Sequence, residues 1–131
     1  MVKEGIQGEK TLTVTKENTA CAVGSGALPV LATPMLAALM EGCAHESLLP
    51  YLEKGQGTVG TELQLSHLAP TPVGGQVHCK SVLTKIDGRL FTFELEVYDD
   101  AGLIGKATHT RCLISEERFM AKAAQRLPAK E

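Results

Sequence analysis

Residues 35–43 read Met-Leu-Ala-Ala-Leu-Met-Glu-Gly-Cys, a run in which nearly every side chain is apolar or small and the single charge is Glu41. A helix without a wet face has to be wrapped by other structure, so this run dictates one central helix with the rest of the chain folded around it. Thr33-Pro34 gives its start, read as a capping hydroxyl followed by proline at the first helical position. Polarity rises after Glu41 with His45, Glu46 and Ser47, and Gly55 and Gly57 supply the stop beyond Tyr51.

The wrapping layer is predicted from a change of period at Thr58. Val59, Thr61, Leu63, Leu65 and His67 are expected on one face of a strand, with Thr58, Gly60, Glu62, Gln64 and Ser66 on the other. Pro70, Pro72, Gly74 and Gly75 break the chain before a strand over residues 76–86, and Asp87-Gly88 reads as a tight hairpin turn. The return strand points Phe91, Phe93, Leu95 and Val97 inward; a turn at Asp99, Asp100 and Gly102 leads to a last strand over residues 103–114. Ser115 is positioned to cap a short C-terminal helix. Ahead of the central helix, Leu12 and Val14 alternate with Thr11, Thr13 and Thr15 as a first strand, and residues 18–28 form a loop of small side chains. The whole of 1–131 is thus expected to be one α+β domain, an antiparallel sheet curled around one helix, which is the hotdog architecture.

A chain of 131 residues buries roughly two thirds of its unfolded surface and has little left for walling in a deep pocket. A pocket shared with a second copy is expected, in a homodimer or a tetramer, because a sheet with an open edge invites pairing across a twofold axis. The 13 Lys+Arg against 15 Asp+Glu leave no positive field for a nucleic-acid backbone, and five aromatics are too few for base stacking. The first ten residues carry Lys3, Glu4, Glu9 and Lys10 rather than a secretory apolar stretch. The apolar run over residues 27–40 is interrupted at Pro29, Thr33 and Pro34, so no membrane span and a cytoplasmic location are expected. Cysteines at 21, 43, 79 and 112 stand singly, which suits small buried hydrophobes in a reducing compartment.

Gly55-Gln56-Gly57-Thr58-Val59-Gly60 matches G-x-G-x-x-G but follows a helix and opens a strand, the reverse of the dinucleotide-binding context. Glu41 is either held in the core by a partner, where burial would suit it to general-base work, or solvated where the helix surfaces. His67 lies on the face expected to meet that helix; it either orients a carboxylate and moves a proton, or is a core histidine satisfied by a backbone carbonyl. Thr33 is a helix cap or a substrate-facing hydroxyl, and eight helical residues put it about 12 Å from Glu41, too far for one hydrogen bond. His45, His78 and His109 read as structural or surface residues, with no metal-ligand spacing among them. Arg118, Lys122, Arg126 and Lys130 recur every four residues, a basic stripe that could meet the phosphates of coenzyme A or simply be solvated.

Taken together, Leu39-Met40-Glu41, the run Gly55 to Thr61, Ser66-His67-Leu68-Ala69-Pro70-Thr71-Pro72-Val73-Gly74, Ile104-Gly105 and Thr108-His109-Thr110-Arg111 resemble the hotdog thioesterases of the fluoroacetyl-CoA thioesterase type. The resemblance implies hydrolysis of a small acyl-CoA thioester, with coenzyme A entering as part of the substrate and no other cofactor or metal. It implies a catalytic set of Thr33, Glu41 and His67, with Gly60, and Thr61 beside it, at the oxyanion and substrate; the basic stripe adds Arg118 and Lys122 as weaker candidates for contact with the coenzyme A phosphates. Two other readings share the fold: an acyl-CoA-binding module without turnover, and a hydratase or dehydratase of acyl thioesters. Residues 18–32 carry no aromatic, so the sequence leaves the acyl group unnamed.

Overall fold

The computed structural model describes residues 1–129 and contains, in chain order, β1 (Gln7–Thr13), α1 (Ala20–Val23), α2 (Thr33–Leu48), β2 (Gln56–His67), β3 (Gln76–Asp87), β4 (Leu90–Asp99), β5 (Gly102–Ser115) and α3 (Glu116–Ala124). The expected central helix is α2, which buries Leu36, Leu39, Met40, Cys43, Ala44 and Leu48 against the sheet. It is not dry all round. Pro34 and Ala38 are exposed and Ala37, Glu41, Gly42 and His45 half-buried, positions three to four apart that form one helix face the sheet covers only at its margins, where Glu41 meets β2 and Gly42 meets Lys10 of β1. The sheet, antiparallel throughout in the order β1-β3-β4-β5-β2, curls over the opposite face.

Alternating inward side chains make the core: Val77, Cys79 and Leu83 from β3, Phe91, Phe93, Leu95 and Val97 from β4, and Ala107 from β5. The outward face is closed by its own charges. Glu9 stands opposite Lys80, Lys80 opposite Glu96, and Glu96 opposite Lys106, a cross-strand row of alternating sign suited to water.

Three local expectations are corrected. β1 starts at Gln7, well before Thr11, because its inward residues Gly8 and Lys10 carry no apolar signal; a Cβ on Gly8 would stand 2.6 Å from Ser81 Oγ and 2.7 Å from Ser47 Cβ. Ser115 occupies the N-cap of α3 without making a capping side-chain bond. The register of β2 against β5 slips between Gly60 and Glu62, so Thr61 is an extra residue with no opposite number. That bulge reverses the alternation. Leu63, Leu65 and His67 share the inward face of their partners His109, Ala107 and Gly105, as expected, but N-terminal to the bulge it is Thr58 and Gly60 that turn inward, not Val59.

Candidate active site

Thr33 is not the cap of α2. Ala32 is, with extended backbone at φ −72° and ψ 140°, and Thr33 and Pro34 are the first two helical residues. The reason lies in the strand-like segment before the helix: Leu31 N–H donates to the Thr71 carbonyl at 2.9 Å and Ala32 N–H to the Asn18 carbonyl at 3.0 Å, which holds Ala32 extended. Released from capping, the Thr33 hydroxyl meets His67 Nδ1 at 2.8 Å. His67 is the last residue of β2, and the chain turns away beyond it as Leu68 N–H donates to the Ile104 carbonyl at 2.7 Å. Burial is the main reason the His67 pKa falls below the ordinary histidine value, offset in part by the Ala69 backbone. Its imidazole is therefore neutral at pH 7 and can take a proton from a hydroxyl. The pair opens onto a cavity of 340 Å³ whose other walls are small or apolar, among them Ala20, Val30, Leu31, Leu68 and Ala69.

Glu41 lies two turns further along α2, and its side chain is 45% exposed. It faces the stretch of β2 before the bulge. A Cβ on Gly60 would collide with Glu41 Oε1 and stand 3.1 Å from His109 Cε1, so glycine is what lets the carboxylate lie over the strand. The carboxylate has a cation at its back: Arg111 Nη1 is 3.8 Å from Glu41 Oε1. Arg111 is itself buried, and its guanidinium is fixed by Nε donating to Thr58 Oγ1 at 2.9 Å, Nη2 donating to the Thr58 carbonyl at 3.0 Å and Nη1 meeting His109 Nε2 at 3.1 Å. Desolvation lowers the Arg111 pKa and Glu41 opposes that shift, so the guanidinium keeps its charge.

Thr33 with His67, and Glu41 with Gly60, are thus two half-sites at different levels of one helix. His67 meets the helix on the face expected of it, but at the first turn of α2; the Glu41 carboxylate is about 12 Å along the axis. The Thr61 hydroxyl donates to the Thr110 carbonyl at 3.2 Å, locking the bulge beside Gly60. Arg118 and Lys122 are exposed on α3, away from both half-sites in sequence and element; Arg126 lies past the end of that helix, so the four-residue stripe is not continuous, and Lys130 lies outside the described residues.

Sequence reasoning passed over Arg111 and treated His109 as structural or surface. The signal was present: alternation from Gly105 and Ala107 carries His109 and then Arg111 onto the inward face of β5. Of the cysteines, 43 and 79 are buried, whereas Cys112 is half-buried and Cys21 exposed, which corrects the uniform expectation. Among the described residues no group of three or more His, Cys, Asp or Glu side chains is placed to hold a metal ion, and no helix is long and apolar enough to cross a membrane.

Comparison with known proteins identifies the family and the fold. The family model described as fluoroacetyl-CoA-specific thioesterase matches residues 14–117. The fluoroacetyl-CoA thioesterase of Streptantibioticus cattleyicolor is 37% identical over 100 residues, 76% of this chain and 72% of that protein. A solved structure of the fluoroacetyl-CoA thioesterase FlK superposes with a TM-score of 0.91 at 30% identity, covering 98% of this chain and 99% of the other. A thioesterase superfamily member from Thermus thermophilus gives a TM-score of 0.88 at 26% identity, covering 95% and 93%. With its hotdog fold and a match spanning both half-sites, the chain belongs to the fluoroacetyl-CoA-specific thioesterase family.

Proposed function

We propose that this protein hydrolyses a small acyl-CoA thioester to the free acid and coenzyme A, at a site assembled from Thr33, Glu41 and His67 with Gly60. The observation that carries the reading is the hydroxyl–imidazole pair of Thr33 and His67, 2.8 Å apart, at the mouth of a cavity large enough for a short acyl group. Glu41 acts on the thioester carbonyl, as base toward water or as nucleophile, and the Gly60 backbone stabilises the oxygen that becomes negative. As the C–S bond breaks, the leaving thiolate takes a proton from the site, in which His67 is the relay. Arg118 and Lys122 are assigned the outer phosphates of coenzyme A.

The two half-sites are joined by a second copy. β2 is an open edge of 12 residues, and antiparallel pairing with its own counterpart, centred on Gln64 and with Thr61 as the extra residue, sets Gly60 of one protomer opposite His67 of the other. The same pairing covers the exposed part of the small-residue face of α2, at Pro34 and Ala38. Homodimerisation therefore supplies Glu41 and Gly60 to the Thr33–His67 pair across the twofold axis. The exposed free thiol of Cys21 fits a reducing compartment, and we place the reaction in the cytoplasm.

The test is release of free thiol from a panel of short acyl-CoA thioesters. Turnover is expected on at least one, with Glu41→Gln and His67→Ala each lowering kcat by about a hundredfold or more. No release from any thioester would leave a binding module; wild-type turnover in both variants would move the site elsewhere.

A further inference from the structure

His109 is 1% exposed, and the atoms around it fix its protonation state. Nδ1 lies 2.7 Å from the Glu62 carbonyl, which can only accept; Nε2 lies 3.1 Å from Arg111 Nη1, which can only donate. The ring consequently carries its proton on Nδ1 and is neutral, since an imidazolium would set an N–H against an N–H beside a buried guanidinium. The Glu62 carbonyl is the residue after the bulge, where the ladder to β5 is interrupted, so the imidazole satisfies a backbone acceptor at the interruption. Phe93 from β4, with ring centroids 6.2 Å apart and planes tilted by 32°, packs on the ring. The charges that face it are Arg111 from its own strand and Glu41 from α2; desolvation is the largest cause of its lowered pKa, and Arg111 acts in the same direction.

We propose that His109 is a positioning residue for the thioesterase reaction: by accepting from Arg111 Nη1 it holds the guanidinium 3.8 Å behind Glu41, near enough to attract the carboxylate and too far to clamp it. The guanidinium is a rigid plane; with Nε and Nη2 anchored on Thr58, its remaining freedom is a tilt about those two bonds, and the bond from Nη1 to His109 sets that tilt. Without that acceptor the plane tilts, bringing Nη1 toward Glu41, where it ties up the oxygens that must reach the thioester carbonyl. This rests on the reading of Glu41 as the reacting carboxylate.

The experiment compares His109→Leu, His109→Gln, Glu41→Gln and the double variant His109→Leu/Glu41→Gln in the full-length protein. His109→Leu is expected to lower kcat about ten- to hundredfold with KM little changed, the size of a misplaced reacting group. Glutamine can donate to the Glu62 carbonyl and accept from Arg111, so His109→Gln is expected to restore most of that loss. In the Glu41→Gln background the leucine change is expected to add nothing, because its effect passes through Glu41. Equal loss in the leucine and glutamine variants, or the same further loss in the double variant, would overturn the inference in favour of a merely structural histidine. Ring-nitrogen NMR gives a readout independent of turnover: His109 should show Nδ1 protonated and Nε2 bare in both wild type and Glu41→Gln, and an imidazolium or the opposite tautomer at pH 7 would equally overturn it. Wild-type turnover in Glu41→Gln with that NMR signature intact would instead locate the failure in the assignment of Glu41.

Discussion

At the scale of the residue, the absence of one side chain does as much as the presence of three. Gly60 has an ordinary backbone for a strand, and what it provides is room: any Cβ there runs into the Glu41 carboxylate and comes within 3.3 Å of Arg111 Nη1. Gly60→Ala is therefore expected to fold and to lose about tenfold or more in kcat through a displaced carboxylate, checked by kinetics alongside a thermal melt. Full activity in a folded alanine variant would mean that Glu41 does not work over this strand. Half-buried His67 and buried His109 make a second residue-level prediction. Burial, first among the causes for both, lowers the pKa of His67 and His109, so unfolded chain binds protons more readily than folded chain between the ordinary histidine value near 6.5 and those lower native values. Stability from this source is complete above that window and is lost as pH falls through it. The melting temperature is expected to drop on going from about pH 7.5 to about pH 5.5, and to drop less in His109→Gln. A melting temperature independent of pH across this range would contradict the desolvation of the two rings.

At the scale of the element, the close approach of β1 to α2 accounts for a strand that the sequence hides. Gly8 faces inward with Ser81 Oγ, Ser47 Cβ and the Cys43 carbonyl all within 3.0 Å of where a Cβ would stand. Strand periodicity counts apolar side chains, and a strand pressed this tightly against a helix has none to count at that position. Gly8→Ala is expected to destabilise the fold by about 1–3 kcal/mol through overpacking, read from the denaturation midpoint at unchanged m-value; a neutral effect would mean that β1 can move away from the helix. Elsewhere the elements were legible where each carried its own pattern. The turns at Asp87-Gly88 and around Asp100 and the inward row of β4 follow from residues within a few positions of one another. The inward face of β2 was legible only C-terminal to Thr61, because one inserted residue inverts every assignment before it.

At the scale of the whole molecule, the Thr33–His67 and Glu41–Arg111 pairs stand at two levels of one helix and β2 is an unpaired edge of the sheet, and the proposed dimer joins the two levels across that edge. Sedimentation at micromolar concentration is expected to give a dimer, or a tetramer built from that dimer, and dilution into monomer should abolish thioester hydrolysis. A monodisperse monomer with full activity would contradict the shared site. By itself the sequence determined the central helix, the antiparallel sheet that wraps it and the family to which the chain belongs, since each depends on patterns local along the chain: an apolar run, a period of two, a block of prolines and glycines after His67. Tertiary structure decided which groups meet. Thr33-Pro34 is the same dipeptide whether threonine caps the helix or begins it, and the choice was made by hydrogen bonds from Leu31 and Ala32 to residues distant in sequence, which free the hydroxyl for His67. Alternation along β5 marks Arg111 as inward, but not as the cation behind Glu41, because it stands opposite Gly60 only once β2 and β5 have paired in register. Backbone patterns repeat every two or four residues and can be read from neighbours, whereas side chains 30 to 70 positions apart are brought together by the packing of elements and by nothing nearer.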